Sequence, residues 1–234
     1  MAEPAVVLWD IDGTLLRAGD PDHIGGLADA LSEHAGRAVS LDGIPLGGNI
    51  ERRICRMALT ASGVAEPHDA IIDAAIATLG TRYVANVADR TDRILPGVID
   101  ALAACASAGM YQGVLTGGAR AIARHKLMVS GLERFLPFGA YGDEAEERHE
   151  LVDHALDDAA RVSGAPVDRS LVVVVGDTPF DVSAARFAGV AVVAVATGRW
   201  SFTDLDASGP DTTLTDLVDP AMVLDAITTA TRPA

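Results

Sequence analysis

Residues 5–9, Ala-Val-Val-Leu-Trp, form an apolar run of β-formers long enough for one buried strand, and it stops abruptly at two carboxylates, Asp10 and Asp12, followed by Gly13 and Thr14. A strand that ends this way constrains the whole chain. Open α/β sheets gather their ligands just beyond the carboxyl ends of the strands, so both acids would project into a site. Carboxylates there can serve as nucleophile, metal ligand or general acid and base. An Asp-Gly pair alone is ordinary turn chemistry after a strand. The fixed residues of Asp-x-Asp-Gly-Thr, however, recur by chance at only about 10⁻⁵ per position.

The remaining periodicity agrees with an α/β sheet. After a polar connection at residues 17–22, residues 23–92 read as helices without a convincing strand. Ile24, Leu27, Ala28 and Leu31 mark a first amphipathic helix ending near Gly36. A second runs through Ile50, Ile54, Met57 and Ala58, with Asn49 as N-cap, and a third runs from Ile72 to Val87 with a break or bend near Gly80. Strands and helices then alternate. The expected strands cover residues 111–115, 138–142, 171–175, 191–195 and 212–214, with helices at 98–109, 119–130, 151–162, 182–188 and 221–227. The Leu-Val-Val-Val-Val run at 171–175 is of the kind buried on both faces in parallel sheets. The expectation is a doubly wound parallel sheet formed by residues 1–16 and 93–234, with a smaller all-helical unit, residues 17–92, inserted after the first strand.

Two further stations lie at strand ends. Thr116 closes the strand at 111–115 and is followed by Gly117 and Gly118, which suits a neutral donor and backbone amides for an anion. Gly176-Asp177-Thr178-Pro179-Phe180-Asp181 follows the strongest strand, about 165 residues after the first acidic turn. In this order the motifs resemble those of the haloacid dehalogenase-like hydrolases, most of which are Mg²⁺-dependent phosphatases. The resemblance implies that Asp10 attacks phosphorus to form an aspartyl-phosphate and that Asp12 acts as general acid and base, with a pKa tuned upward from that of Asp10. It further implies that Thr116, Gly117 and Gly118 hold the phosphoryl group. Mg²⁺ would be held by Asp10, Asp177 and the backbone carbonyl of Asp12, with Asp181 nearby orienting a water or a neighbour. Dehalogenases of the family lack the second acid, so Asp12 favours phosphoryl transfer.

The family's third station is a base, usually lysine, and two residues compete for it. Lys126 is the only lysine in the chain but follows Thr116 by ten residues, on a helix expected to carry it away from the strand ends. Arg148 lies 29 residues before Asp177, directly ahead of the helix at 151–162, and an arginine can grip carboxylate and phosphate together. Arg148 is the favoured base. The helical insert occupies the place of a cap, and Arg52, Arg53 and Arg56 could read a substrate anion, or equally form a solvated helix face. No histidine has ligand or triad spacing. The insert has no lysine to form a Schiff base, which speaks against phosphonate cleavage.

Composition narrows the partners. A net charge of −15 excludes nucleic acid and anionic membranes as natural partners, so a small phosphorylated metabolite needs local cations or a metal. Cys55 and Cys105 are isolated and read as reduced, buried thiols. The apolar start lacks a basic leader and is short for a signal peptide, which favours a cytoplasmic protein. A phosphomutase of the β-phosphoglucomutase type, or a non-catalytic binding protein on the same fold, are the alternatives. Oligomeric state is left open.

Overall fold

The computed structural model describes residues 4–231. A six-stranded, all-parallel sheet is formed by β1 (Val6–Trp9), β2 (Tyr111–Leu115), β3 (Phe138–Ala140), β4 (Val172–Gly176), β5 (Ala191–Val195) and β6 (Thr212–Leu214), in the order β3-β2-β1-β4-β5-β6. This is the expected doubly wound sheet. The order reverses at β1, which pairs with β2 on one side and β4 on the other, so Trp9 lies between Val114 and Val175. That switch point is where such sheets open a crevice.

The strands β1 and β4 at the centre of the sheet are buried on both faces. Val7, Trp9, Val114, Val173, Val175 and Val193 face one core with α4 (Val98–Ser107) and α9 (Pro220–Ala230). Leu8, Leu115, Val172, Val174 and Val192 face the other, against α6 (Glu150–Ser163), α7 (Pro179–Ala188) and the short α8 (Phe202–Ala207). The polar residue inside, Gln112, is satisfied: it accepts from Trp9 Nε1 at 3.1 Å and donates to Leu102 O at 2.9 Å. Both cysteines are buried and free.

Between β1 and β2, α1 (Pro21–Ala35), α2 (Glu51–Ala61) and α3 (Asp69–Asn86) pack around their own cluster, which includes Leu31, Leu59, Ile72 and Leu79. Helix α5 (Arg120–Val129) joins the two bodies: Ile122 belongs to the insert's cluster, whereas Ala123 and Leu127 belong to the sheet's. Among the described residues no helix is long and apolar enough to cross a membrane.

Two local expectations need correction. Helix α3 runs unbroken through Gly80, which sits where α3 crosses α5; a Cβ there would come 3.0 Å from Ala121 Cβ. Asn49 does not cap α2: its side chain donates to Pro45 O, and Ile50 occupies the cap position. Helix α8 begins at Ser201, which supplies the N-cap by accepting from Asp204 N.

Candidate active site

The acidic turn after β1 is built by backbone pairing that continues past the strand. Asp10 N donates to Val175 O at 2.9 Å, so Asp10 stands at the carboxyl edge beside Asp177, which follows β4. Leu15 and Leu16 fold back to donate to Ile11 O, and Leu16 then bridges to Ile94. The loop depends on Gly13, whose φ of 111° is left-handed and whose absent Cβ would fall 2.3 Å from Asp177 Oδ2. Gly198 borders the same oxygen, and a Cβ there would fall closer still. Only glycine allows either backbone to pass so close.

Arg148 lies in the turn before α6 and is buried among the acids. Its Nη2 donates to Asp10 Oδ1 at 2.9 Å and to Asp181 Oδ1 at 2.5 Å, and its Nε donates to Asp181 at 3.1 Å. Asp181 Oδ2 accepts from the Thr178 amide and hydroxyl in a capping box at the start of α7. Both Asp181 oxygens are thus committed, so Asp181 holds Arg148 and α7 in place and has no oxygen left for a metal. Burial, reinforced by the Asp181 charge, holds Asp10 well above the usual carboxylate range, against the pull of Arg148. The same two causes push Asp177 up to about 7.

Asp12 has a different partner. Lys126 Nζ donates to both Asp12 oxygens at 2.8 Å. The expectation that α5 carries this lysine away from the site is corrected. Helical side chains lean toward the helix N-terminus, here the end next to Thr116, and Lys126 lies on the same stripe as Ile122, facing the seam with the insert. Beyond it, His23 Nδ1 stands 3.0 Å from Nζ and, facing an ammonium, must accept; its Nε2–H then donates to Glu51 Oε1 at 2.9 Å. Glu51 Oε2 accepts from Ala119 N, while Glu51 N donates to Gly117 O at 2.8 Å. The first turns of α1 and α2 are in this way tied to the loop after β2.

Thr116 is buried at the end of β2, and its Oγ1 accepts from Gly118 N at 3.2 Å, closing the Gly-Gly turn on itself. A cavity of about 270 Å³ opens between sheet and insert, lined by Asp10, Asp12, Thr116, Gly117, Gly118, Lys126 and Arg148 from the core and by Asp20, His23 and Glu51 at the base of the insert. Ile24, Leu27, Leu41, Leu46 and Ile54 form its apolar wall, and Arg199 stands on its rim.

Arg52 and Arg53 are not among the lining residues. Glu51 occupies the inward face of α2, so the next positions point outward, where Arg52 pairs with Asp69, Asp73 and Glu146 and Arg53 with Glu147. Arg56 likewise pairs with Asp69 and Glu146. The structure instead adds His23, Glu51, Asp20 and Arg199. Asp20 could have been found from Asp-Pro at the start of a helix, where it caps α1. Nothing local distinguishes His23 or Arg199.

Among the described residues, no three His, Cys, Asp or Glu side chains gather as a metal centre. Mg²⁺ does not require one, since it keeps several waters and takes one or two carboxylates with substrate phosphate. Asp10 and Asp177, buried carboxylates just past the ends of the neighbouring strands β1 and β4, with the Asp12 backbone carbonyl two residues beyond Asp10, suit such an ion.

Residues 7–195 match the family model of the haloacid dehalogenase-like hydrolases. The plasmid phosphoglycolate phosphatase of Cupriavidus necator is 30% identical, covering 97% of this chain and 94% of its own length. The phosphoglycolate phosphatase of Nitrosococcus oceani is 28% identical, covering 94% and 96%. In fold, the chain resembles a predicted phosphoglycolate phosphatase from Haemophilus somnus 129pt, with a TM-score of 0.67 at 20% identity over 96% of this chain and 99% of that one. A hydrolase from Pseudomonas syringae gives a TM-score of 0.62 at 19% identity, over 95% and 98%. The chain belongs to the haloacid dehalogenase-like hydrolase family. Within it, the chain is an enzyme of the phosphatase kind, similar to the phosphoglycolate phosphatases.

Proposed function

We propose that the chain is a Mg²⁺-dependent phosphatase that hydrolyses a small phosphorylated metabolite, with phosphoglycolate the first substrate to test because two relatives bear that name. The observation that carries this reading is the division of labour between two adjacent acids. Asp10 is buried against Arg148, whereas Asp12 lies across the same cavity in contact with Lys126.

In the first step an Asp10 oxygen attacks phosphorus in line as the bond to the leaving oxygen breaks, and Asp12 delivers a proton to that oxygen. In the second, Asp12 takes a proton from water, the water oxygen attacks phosphorus, and the bond to Asp10 breaks to return the carboxylate and release phosphate. Thr116 and the Gly117–Gly118 turn receive the phosphoryl oxygens, and Arg148 holds Asp10 in its attacking position. Asp10, Asp177 and the Asp12 carbonyl would hold Mg²⁺, which would supply charge neutralisation between carboxylate and phosphate. Residues 17–92 act as a cap that excludes water from the first step, over a core of residues 1–16 and 93–234. The apolar wall supplied by the insert fits that role.

The test is phosphate release from phosphoglycolate and from other small phosphomonoesters with Mg²⁺, compared with Asp10→Asn. Asp10-dependent release of free phosphate is expected. Formation of a bisphosphate without net release would replace this reading with phosphomutase chemistry.

A further inference from the structure

Three cations line the cavity, and two are committed. Arg148 is bound to Asp10 and Asp181, and Lys126 to Asp12. The third, Arg199, has no carboxylate partner and no side-chain hydrogen bond among the described residues, although the chain carries 33 acids against 18 bases. Its stem is nevertheless held. Arg199 Cδ lies along Gly47 of the insert, 3.5 Å from where a Cβ would stand. The guanidinium carbon is 5.6 Å from the ring centroid of Trp200, which packs against the sheet core. Among the described arginines without a carboxylate partner, Arg37, Arg93 and Arg134 donate to backbone carbonyls, whereas Arg199 keeps its donors free beside the cavity. Here the charge is positioned at the seam between sheet and insert and left unspent.

On the insert side of the cavity an aliphatic wall, from Ile24, Leu27, Leu41 and Leu46, stands beside polar groups that already have partners, Asp20 with Tyr83, His23 with Lys126 and Glu51, and Asn49 with Pro45 O. A substrate whose phosphoryl group sits at Asp10 and that carries a second anion would find one uncommitted cationic donor there. We infer that Arg199 is a specificity-determining residue that binds a carboxylate on the non-phosphoryl part of the substrate, selecting short phosphorylated carboxylic acids over neutral phosphate esters. This rests on the phosphatase reading. A planar guanidinium meets a carboxylate through two parallel N–H donors, which a lysine cannot reproduce.

The experiment compares 2-phosphoglycolate with ethyl phosphate, which differ in a carboxylate against a methyl group, in the wild type, Arg199→Ala and Arg199→Lys. The expected result is a wild-type preference for the acid in kcat/KM that falls roughly 10- to 100-fold in Arg199→Ala, mainly through KM, with partial recovery in Arg199→Lys. Unfolding midpoints matching the wild type would exclude a folding defect as the cause. Equal losses on both esters, or an unchanged preference, would overturn the assignment while leaving the phosphatase reading intact. Absence of Asp10-dependent phosphate release from either ester in the wild type would instead overturn that reading, and the role of Arg199 with it.

Discussion

Lys126 Nζ meets both carboxylate oxygens of Asp12 at 2.8 Å across 114 residues of sequence, from a helix that belongs to the sheet core on one side and to the insert on the other. Lys126 is almost fully buried, and its charge is neutralised by this single acid.

Lys126→Met is accordingly expected to impair turnover, because Asp12 loses the group that fixes its carboxylate and His23 loses its donor. The loss should depend on the leaving group. An alkyl phosphate needs the Asp12 proton, whereas 4-nitrophenolate leaves without one. We expect kcat on ethyl phosphate to fall about 10- to 100-fold and kcat on 4-nitrophenyl phosphate to fall clearly less. Equal losses on both would place the effect outside proton delivery to the leaving oxygen.

Arg148 separates charge from geometry. Its removal leaves Asp10 and Asp181 buried and facing each other, so Arg148→Ala should destabilise the metal-free protein by about 3–5 kcal/mol, measured by urea denaturation. Phosphate release should fall by orders of magnitude. Arg148→Lys keeps a charge but cannot span both acids, and should recover part of the stability and little of the rate.

Asp10→Asn should abolish turnover and leave the fold intact. Burial and the Asp181 charge already disfavour the ionised form of Asp10, so a neutral amide is tolerated there. Without metal, this variant should unfold at an equal or higher temperature than the wild type. Chelation should silence the wild type, and Mg²⁺ should restore it and raise its melting temperature, an increase that Asp10→Asn should largely lose. Full wild-type activity in chelator would sink the metal assignment.

The parts of this site that follow strand ends were legible in the sequence. Asp10, Thr116 and Asp177 sit where short apolar runs stop, and parallel pairing brings those ends to one edge whatever the loops do. The expected strands at 111–115, 191–195 and 212–214 match β2, β5 and β6 residue for residue for the same reason. Arg148 was legible from its position ahead of a helix at that edge. Lys126 was not, because its reach depends on how α5 packs against a separate body of helices. His23 and Glu51 were hidden likewise, since each faces the site only after the insert docks. Arg52 and Arg53 show the converse: the helix was foreseen, but which face turns inward is decided by Glu51 binding Gly117 and Ala119.

Acid stability provides a test of the insert's attachment. Asp20 caps α1 and is almost completely buried. Burial alone would raise its pKa, but the Tyr83 hydroxyl at 2.5 Å and Arg90 Nε at 3.0 Å outweigh that and hold it down at about 2. The unfolded chain binds this proton near the ordinary aspartate value, so between those two pH values the unfolded state carries more protons than the folded one. The stabilisation is complete above about pH 4 and is lost as pH falls toward 2, amounting to about 2 kcal/mol. Tyr83→Phe removes one donor and should raise the folded-state pKa of Asp20, reducing the stability lost between pH 5 and pH 2, values chosen to span that window. Differences in urea midpoint between wild type and variant at each pH isolate this contribution, because the other carboxylates are common to both. The gap should be widest at pH 5 and narrow toward pH 2; a gap independent of pH would mean that Tyr83 stabilises the insert by packing alone.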